Sequence, residues 1–348
     1  PGSSQSTIHV FSAEGRTIRE AVSKSNMEIP RQLYFSHTDT IIIGKSAAEH
    51  GLSEVIELYL RSVQARETVV MAVTEERAAD VLKLFMPLER IPGDAINHII
   101  LKEELNSGNY PAVRVLDFAR ALYAESRTIG VPELNVKGNR DEQSRKRLAT
   151  IDSFKQSFND SKLTLTGLSV FRDGRRIGRL NRRESFGVAW LSGTIKQSSI
   201  AFACPAGSNP NALSSYRIDR TNTAFVMRKT EDGYRIAIRV NVRGELTESE
   251  CKLDLTKTEA VRQLGDAIER EIEHVMNDGW NAIRRLKADL PGFADKIHRK
   301  YPADRQRISG NSPDGLANVT IEPRVNVSVI RMGLSHKPLQ QDKSGVEG

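Results

Sequence analysis

No apolar run in this chain approaches the roughly 18–20 residues that a membrane-spanning helix requires. Cysteine is nearly absent. Cys204 and Cys251 are the two present, without CxxC spacing, which argues against a zinc site. They are compatible with either a disulfide or two buried free thiols. GxSxG, HExxH and DxDxDG motifs are missing, and with them the common hydrolase, zinc-protease and calcium-loop chemistries. Gly44-Lys45-Ser46 resembles the tail of a phosphate loop, but position 39 is Asp where the leading glycine would stand. Aromatic residues make up 6% of the chain, including two tryptophans, Trp190 and Trp280, which read as core anchors.

What is present is a large globular body. The 348 residues are 39% hydrophobic and 27% charged, with a net charge of +7, and size alone suggests two or three domains. The first residues, 1–6, are polar, lack an initiating Met and carry no signal-peptide pattern, so they read as a processing boundary. The excess of Lys and Arg is scattered, and is dense only between Arg172 and Arg183.

Periodicity divides the chain. Residues 7–13 alternate as a partly buried strand does, and Thr17 with Glu20 three positions on fits a capping box for a short helix through residue 25. Ile41, Ile42 and Ile43 form a continuous apolar run, the pattern of a strand covered on both faces, which Gly44 ends. Helices over 47–49 and 53–61, a strand over 68–73 and a helix over 75–85 complete a first α/β domain, residues 1–87. A middle domain, 88–194, starts with helices over 94–105 and 112–126 and contains a polar linker, 135–162. Strands over 163–171 and 177–180 flank the hairpin signal Asp173-Gly174, and 186–191 reads as helix or strand.

The last domain, 195–336, has the plainest pattern. Strands over 223–229 and 234–246 flank Asp232-Gly233, and a further strand alternates through Val325, Val327 and Val329. Between them a helix over 257–290, with a capping box of Thr256 and Glu259 and a stop at Pro291-Gly292, would run roughly 50 Å unless Gly279 kinks it. Residues 337–348 read as a disordered tail. The fold class expected is mixed α/β and α+β, in three consecutive small domains, the last a mostly antiparallel sheet packed by one long helix.

Candidate chemistry is sparse. His37 has no His, Cys or carboxylate partner at metal spacing and reads as a structural hydrogen-bonding residue. Arg172, Arg175, Arg176, Arg179, Arg182 and Arg183 form a basic hairpin, read first as solvated and partly salt-bridged and second as an anion-binding surface. Arg235, Arg239, Arg243 and Arg324 share one sheet face that an acidic partner would fit. Glu269, Glu271 and Glu273 read as the solvated side of the long helix. No catalytic residue, metal ligand or cofactor is assigned.

The chain resembles the Ger(x)C family, the lipoprotein C subunits of spore germinant receptors of endospore-forming bacteria. The resemblance is carried by Glu14-Gly15-Arg16-Thr17-Ile18-Arg19-Glu20-Ala21, by Leu33-Tyr34-Phe35-Ser36-His37 and by Ile41-Ile42-Ile43-Gly44. It continues through the helix at 54–61, Leu88-Glu89-Arg90-Ile91-Pro92, Gly167-Leu168-Ser169-Val170-Phe171-Arg172-Asp173-Gly174, and Trp190-Leu191-Ser192-Gly193, covering about residues 14–333 in order. Gly15, Thr17, Glu20, His37 and Gly44 are its motif residues, with a structural role expected. The resemblance implies a non-enzymatic subunit acting as scaffold or coupling element, or alternatively binding a small-molecule germinant. It also implies A and B integral-membrane partners, and a lipid anchor upstream on the outer face of the inner spore membrane. Nucleic acid is not expected as a partner, since the basic residues are mostly dispersed.

Overall fold

The computed structural model describes residues 8–28, 33–62, 64–84, 89, 91–137, 162–205, 212–251, 253–304 and 316–331, which form two compact units. The first holds residues up to 104, 110–182 and 288–290; the second holds 105–109, 183–287 and the chain from 291 on.

In the first unit five strands lie in sequence order: β1 (Thr40–Gly44), β2 (Val70–Thr74), β3 (Thr128–Lys137), β4 (Lys162–Arg172) and β5 (Arg175–Leu180). β1, β2 and β3 run parallel, while β4 and β5 return antiparallel. The sheet is covered on both faces, which explains its apolar runs. Met71 and Val73 of β2 join one core with Leu52, Ile56, Phe118 and Phe171. Val70 and Ala72 point the other way, into a core with Ile96, Ile100, Leu134 and Val136. The helices supplying those cores are α2 (Lys45–His50), α3 (Ser53–Arg61), α4 (Ala78–Leu82), α5 (Pro92–Asn106) and α6 (Val115–Tyr123). Asp173 and Gly174 have φ of 49° and 78°, the left-handed pair of a two-residue hairpin turn that the sequence signalled. The boundary expected after residue 87 falls inside this unit, because β3 pairs with β2 across it.

Three expectations fail here. Residues 8–13 form no strand: alternation needs a ladder partner as well, and Val10 and Phe11 are exposed. Residues 135–137 belong to β3 instead of a linker, and 138–161 lie outside the described residues, as does the tail at 337–348. The helix expected over 75–85 shortens to α4, because Thr74 Oγ1 accepts Glu76 N–H and turns the chain after β2. By contrast α1 (Ile18–Glu28) starts where expected, with Glu20 N–H donating to Thr17 Oγ1 at 3.1 Å.

The second unit is a four-stranded sheet in the order β6 (Ser198–Ala203), β7 (Leu213–Lys229), β8 (Tyr234–Ser249), β9 (Val319–Arg331). β6, β7 and β8 are antiparallel; β9 runs parallel to β8. Helix α7 (Arg182–Ser192) resolves the ambiguity at 186–191, and its residues from 183 on belong to this unit. Helix α8 (Thr258–Arg285) lies against β6 and β9, burying Leu264, Ile268, Ile272, Val275 and Ile283, and α9 (Phe293–Lys300) follows it. Its 28 residues span roughly 42 Å. Gly279 sits within the helix without ending it, and the helix stops at Arg285, ahead of Pro291, where Lys287 turns left-handed at φ 54°. The expected capping box does not form. Lys257 is the N-cap, Thr256 Oγ1 donates to Asp254 instead at 2.6 Å, and Glu259 is held by Arg262 at 2.7 Å.

Candidate functional site

The most elaborate polar assembly in the first unit centres on Glu133, in mid-strand β3. A charged group on a strand covered on both faces must be paired where it lies. Glu133 is fully buried. Its carboxylate accepts from Ser169 Oγ at 3.0 Å, from Asn135 Nδ2 at 2.9 Å and from Arg176 at 3.3 Å, and pairs with Arg179 at 2.9 Å. Arg176, from β5, is itself nearly enclosed. It also reaches Glu75 after β2 and Glu49 of α2, at 3.6 Å for the latter, and its Nε donates to Ser169 Oγ at 3.0 Å. Lys45, the first residue after β1, holds the other oxygen of Glu75 at 3.0 Å. Lys45 and Arg176 together pull the Glu75 carboxyl below the usual range against the opposing effect of its burial, which is the largest single influence. Formal charges balance, three carboxylates against Lys45, Arg176 and Arg179, so the cluster locks α2, β2, β3 and β5 together.

This disposes of the basic hairpin as a free anion site. Arg176 and Arg179 are taken up by acidic partners in their own unit. Arg175 is exposed and Arg172 half-buried at the hairpin end. In the second unit Arg183 is held by Glu271 at 2.9 Å and Asp278 at 2.5 Å.

Four of the motif residues of the N-terminal block, Gly15, Thr17, Glu20 and Gly44, make close local contacts. A Cβ on Gly15 would lie 2.4 Å from Ala21 N, and one on Gly44 would lie 3.4 Å from Glu76 O. Glu20 accepts Arg16 N–H at 2.9 Å and pairs with Arg16 and Lys24, which keeps its carboxyl below the usual range. His37 departs from expectation. It is exposed, its ring stands 5.6 Å from that of Tyr34, and no hydrogen-bond partner is found for it among the described residues.

In the second unit Arg235, Arg239, Arg243 and Arg324 all lie on the outward face of the sheet, as their alternation with buried Ile236, Ile238, Val240 and Val242 requires. Arg235 meets Glu322 at 3.2 Å, and Arg324 reaches the same carboxylate at 3.9 Å. Around them a depression of about 340 Å³ opens, floored by Val226 and Ala237. Cys204 and Cys251 form a disulfide that joins the ends of β6 and β8 across the start of β7. Trp190 and Trp280 are buried, as core anchors are. Glu269 and Glu273 are not on a solvated face; they accept backbone N–H groups of β9. Among the described residues no cluster of three His, Cys, Asp or Glu side chains has metal-holding geometry.

Sequence reasoning missed Glu133, Asn135 and Ser169. The available signal was Val131, Glu133 and Asn135 at two-residue spacing inside a run of otherwise apolar character, where a polar pair implies an internal network.

Two family models match the chain: the spore germination protein N-terminal domain over residues 1–136, and the spore germination B3/GerAC-like C-terminal domain over residues 166–333. Spore germination protein KC of Bacillus subtilis (strain 168) is 25% identical over 337 residues, covering 96% of this chain and 81% of that protein. Spore germination protein GerQC of Bacillus cereus is 20% identical over 272 residues, 78% of this chain and 69% of its own. Among solved structures, the crystal structure of the GerBC protein superposes with a TM-score of 0.59 at 16% identity, over 89% of this chain and 84% of that one, a likeness of fold.

Proposed function

The chain belongs to the Ger(x)C family of spore germination proteins, and from that membership we propose that it is a non-enzymatic scaffold or coupling subunit of a nutrient germinant receptor. In this reading a lipid anchor tethers it to the outer face of the inner spore membrane, beside the A and B integral-membrane subunits. Tethering raises its effective concentration near them, so modest docking surfaces suffice. The observation that carries the reading is the open arginine face of the second unit. An exposed, charged array on a sheet pinned by a disulfide and a 28-residue helix suits a macromolecular partner. The disulfide also fits an oxidising, extracytoplasmic compartment. Residue-level crosslinking of the anchored chain in spore membranes tests this: crosslinks to the A or B subunit are expected, and their absence defeats the scaffold reading.

A second reading, direct binding of a germinant, is favoured by one feature of the first unit. Beside the Glu133 cluster, where β1 and β2 end, an open polar depression of about 640 Å³ is lined by Lys45, Glu75, Asn135, Thr166 and Arg179. The crevice outside the carboxyl ends of parallel strands is where α/β sheets commonly hold ligands. Calorimetry with amino acids, sugars and nucleosides separates the two; micromolar heat that Arg179→Ala abolishes would establish the second.

A further inference from the structure

The ladders of the second unit place arginines directly opposite one another on the outward face. Arg220 of β7 faces Arg243 of β8, Arg228 faces Arg235, and Arg239 of β8 faces Arg324 of β9. All six are exposed. In the antiparallel β7–β8 ladder such side chains stand about 5 Å apart at Cβ, and in the parallel β8–β9 ladder they are neighbours on the same face; like charges so placed are destabilising. The fold offsets little of this. Glu322 serves Arg235 and Arg324, while among the described residues Arg220, Arg228, Arg239 and Arg243 have no carboxylate within ion-pair distance. Basic residues nearby show the contrast: Arg217 is held by Glu245 at 2.6 Å, and Lys229 by Asp304 at 2.7 Å. Three like-charge pairs, with Glu322 as the one carboxylate found against them among the described residues, on a sheet whose other face is core are a standing cost that an anionic occupant would remove.

We propose that this face docks an acidic segment of a partner protein, its carboxylates seated between Arg220 and Arg243, Arg228 and Arg235, and Arg239 and Arg324. The proposal rests on the scaffold reading and names the surface through which it acts. The guanidinium fork matches a carboxylate bidentately, and rows of pairs recur at multiples of roughly 7 Å along the strands. An anionic membrane is the weaker fit, because the uncharged positions between the arginines are Ala224, Val226, Ala237 and the cross-strand row Asn222, Asn241 and Asn326, with no aromatic or large apolar side chain to insert.

The test uses the full chain and a fluorescent peptide of alternating Glu and Thr, with phosphatidylglycerol vesicles and duplex DNA as parallel probes. Salt-sensitive binding of the peptide is expected. R239E/R243E should weaken it at least tenfold, while the control R61E/R120E, with the same change in net charge, should alter it less than twofold. Each reversed side chain would face an arginine across the strands, so the melting temperature of R239E/R243E should hold or rise. Lost binding together with retained or raised stability is the signature of repulsion kept for a partner. Equal losses in both variants, a large drop in melting temperature, or retention on vesicles or DNA without peptide binding would each overturn the proposal. Crosslinking to the A and B subunits separates the two levels. If R239E/R243E crosslinks as wild type does, this face is wrong and the scaffold reading stands. If wild type fails to crosslink yet binds the peptide through these arginines, the scaffold reading falls and the docking face survives.

Discussion

Glu269 of the long helix accepts the backbone N–H of Val327 at 2.8 Å, and Glu273, one turn on, accepts that of Val325 at 3.4 Å. β9 is an end strand of its sheet, and these carboxylates occupy donors that the ladder with β8 leaves unused. An uncovered strand of this length invites pairing with another chain, so the helix acts as a guard as well as a lid on the core.

The guard has a pH dependence. Burial, outweighing the Val327 N–H, raises the Glu269 carboxyl above its ordinary value near 4.5. A carboxyl raised on folding contributes stability that is fully present below its unfolded value and is lost as pH rises through the folded one. Glu269→Gln keeps an acceptor for Val327 without the ionisation. Denaturant unfolding should therefore show the Gln variant gaining on wild type between pH 4 and pH 7. A stability difference that stays flat over that range would contradict the assignment. Glu269→Ala, which frees the Val327 donor, should lose about 1 kcal/mol and promote self-association, checked by light scattering.

Gly187 of α7 and Gly279 of α8 let two helices touch at their backbones. A Cβ on Gly187 would stand 2.1 Å from Val275 O, and one on Gly279 would stand 2.5 Å from Gly187 C. Either Gly→Ala change must push the helices apart and should destabilise by roughly 2–3 kcal/mol. Gly265, on the same helix α8, meets no atom closer than Val327 O at 3.9 Å. There Gly→Ala should stabilise by roughly 0.5–1 kcal/mol through helix propensity alone. Opposite signs in thermal unfolding are the check, and a loss at Gly265 equal to that at Gly279 would refute the close-packing account.

These pairs mark where the sequence was legible. β1, α3 and the 173–174 turn follow from local pattern: an apolar run, a helical stripe, two residues suited to positive φ. The β7–β8 hairpin is readable for the same reason, since alternation and Asp232-Gly233 agree. β3 was not, because Pro132, Glu133 and Asn135 interrupt its apolar residues, and what makes them compatible with a strand is Arg176 and Arg179, more than forty positions on. Glu269 and Glu273 were misread by the same failure. Their i,i+4 neighbours suggest a solvated helix face, whereas their partners are backbone groups of a strand more than fifty positions away. Local patterns predict elements; pairings between distant polar groups decide which charges are free. The arginine face was readable because strand alternation is local, yet its lack of compensation emerged only from the register.

The Glu133 cluster carries a prediction of its own. Removing one member of a buried ion cluster strands the others, so Glu133→Ala should destabilise by roughly 3–5 kcal/mol. Arg176→Met should be costly alone, but in the Glu133→Gln background its additional loss should shrink, since one of its three carboxylate partners is already neutral. A double-mutant cycle by urea unfolding measures this coupling. Strictly additive losses would show that Glu133 and Arg176 do not act as a pair.

The disulfide is a covalent tie within the second unit. Cys204 and Cys251 close a loop of 47 positions and tie together the two strands that flank β7. Constraining the unfolded chain by a loop of that size stabilises by roughly 4 kcal/mol. For a unit of this size that corresponds to a fall on the order of 10 °C in melting temperature on reduction or in Cys251→Ser. The second unit carries the outward arginines, so its loosening should weaken acidic-peptide binding in parallel with stability, whereas the Glu133 cluster of the first unit should be untouched. Calorimetric melting of oxidised and reduced chains tests both halves. Identical melting would mean that the cross-link contributes nothing to the fold.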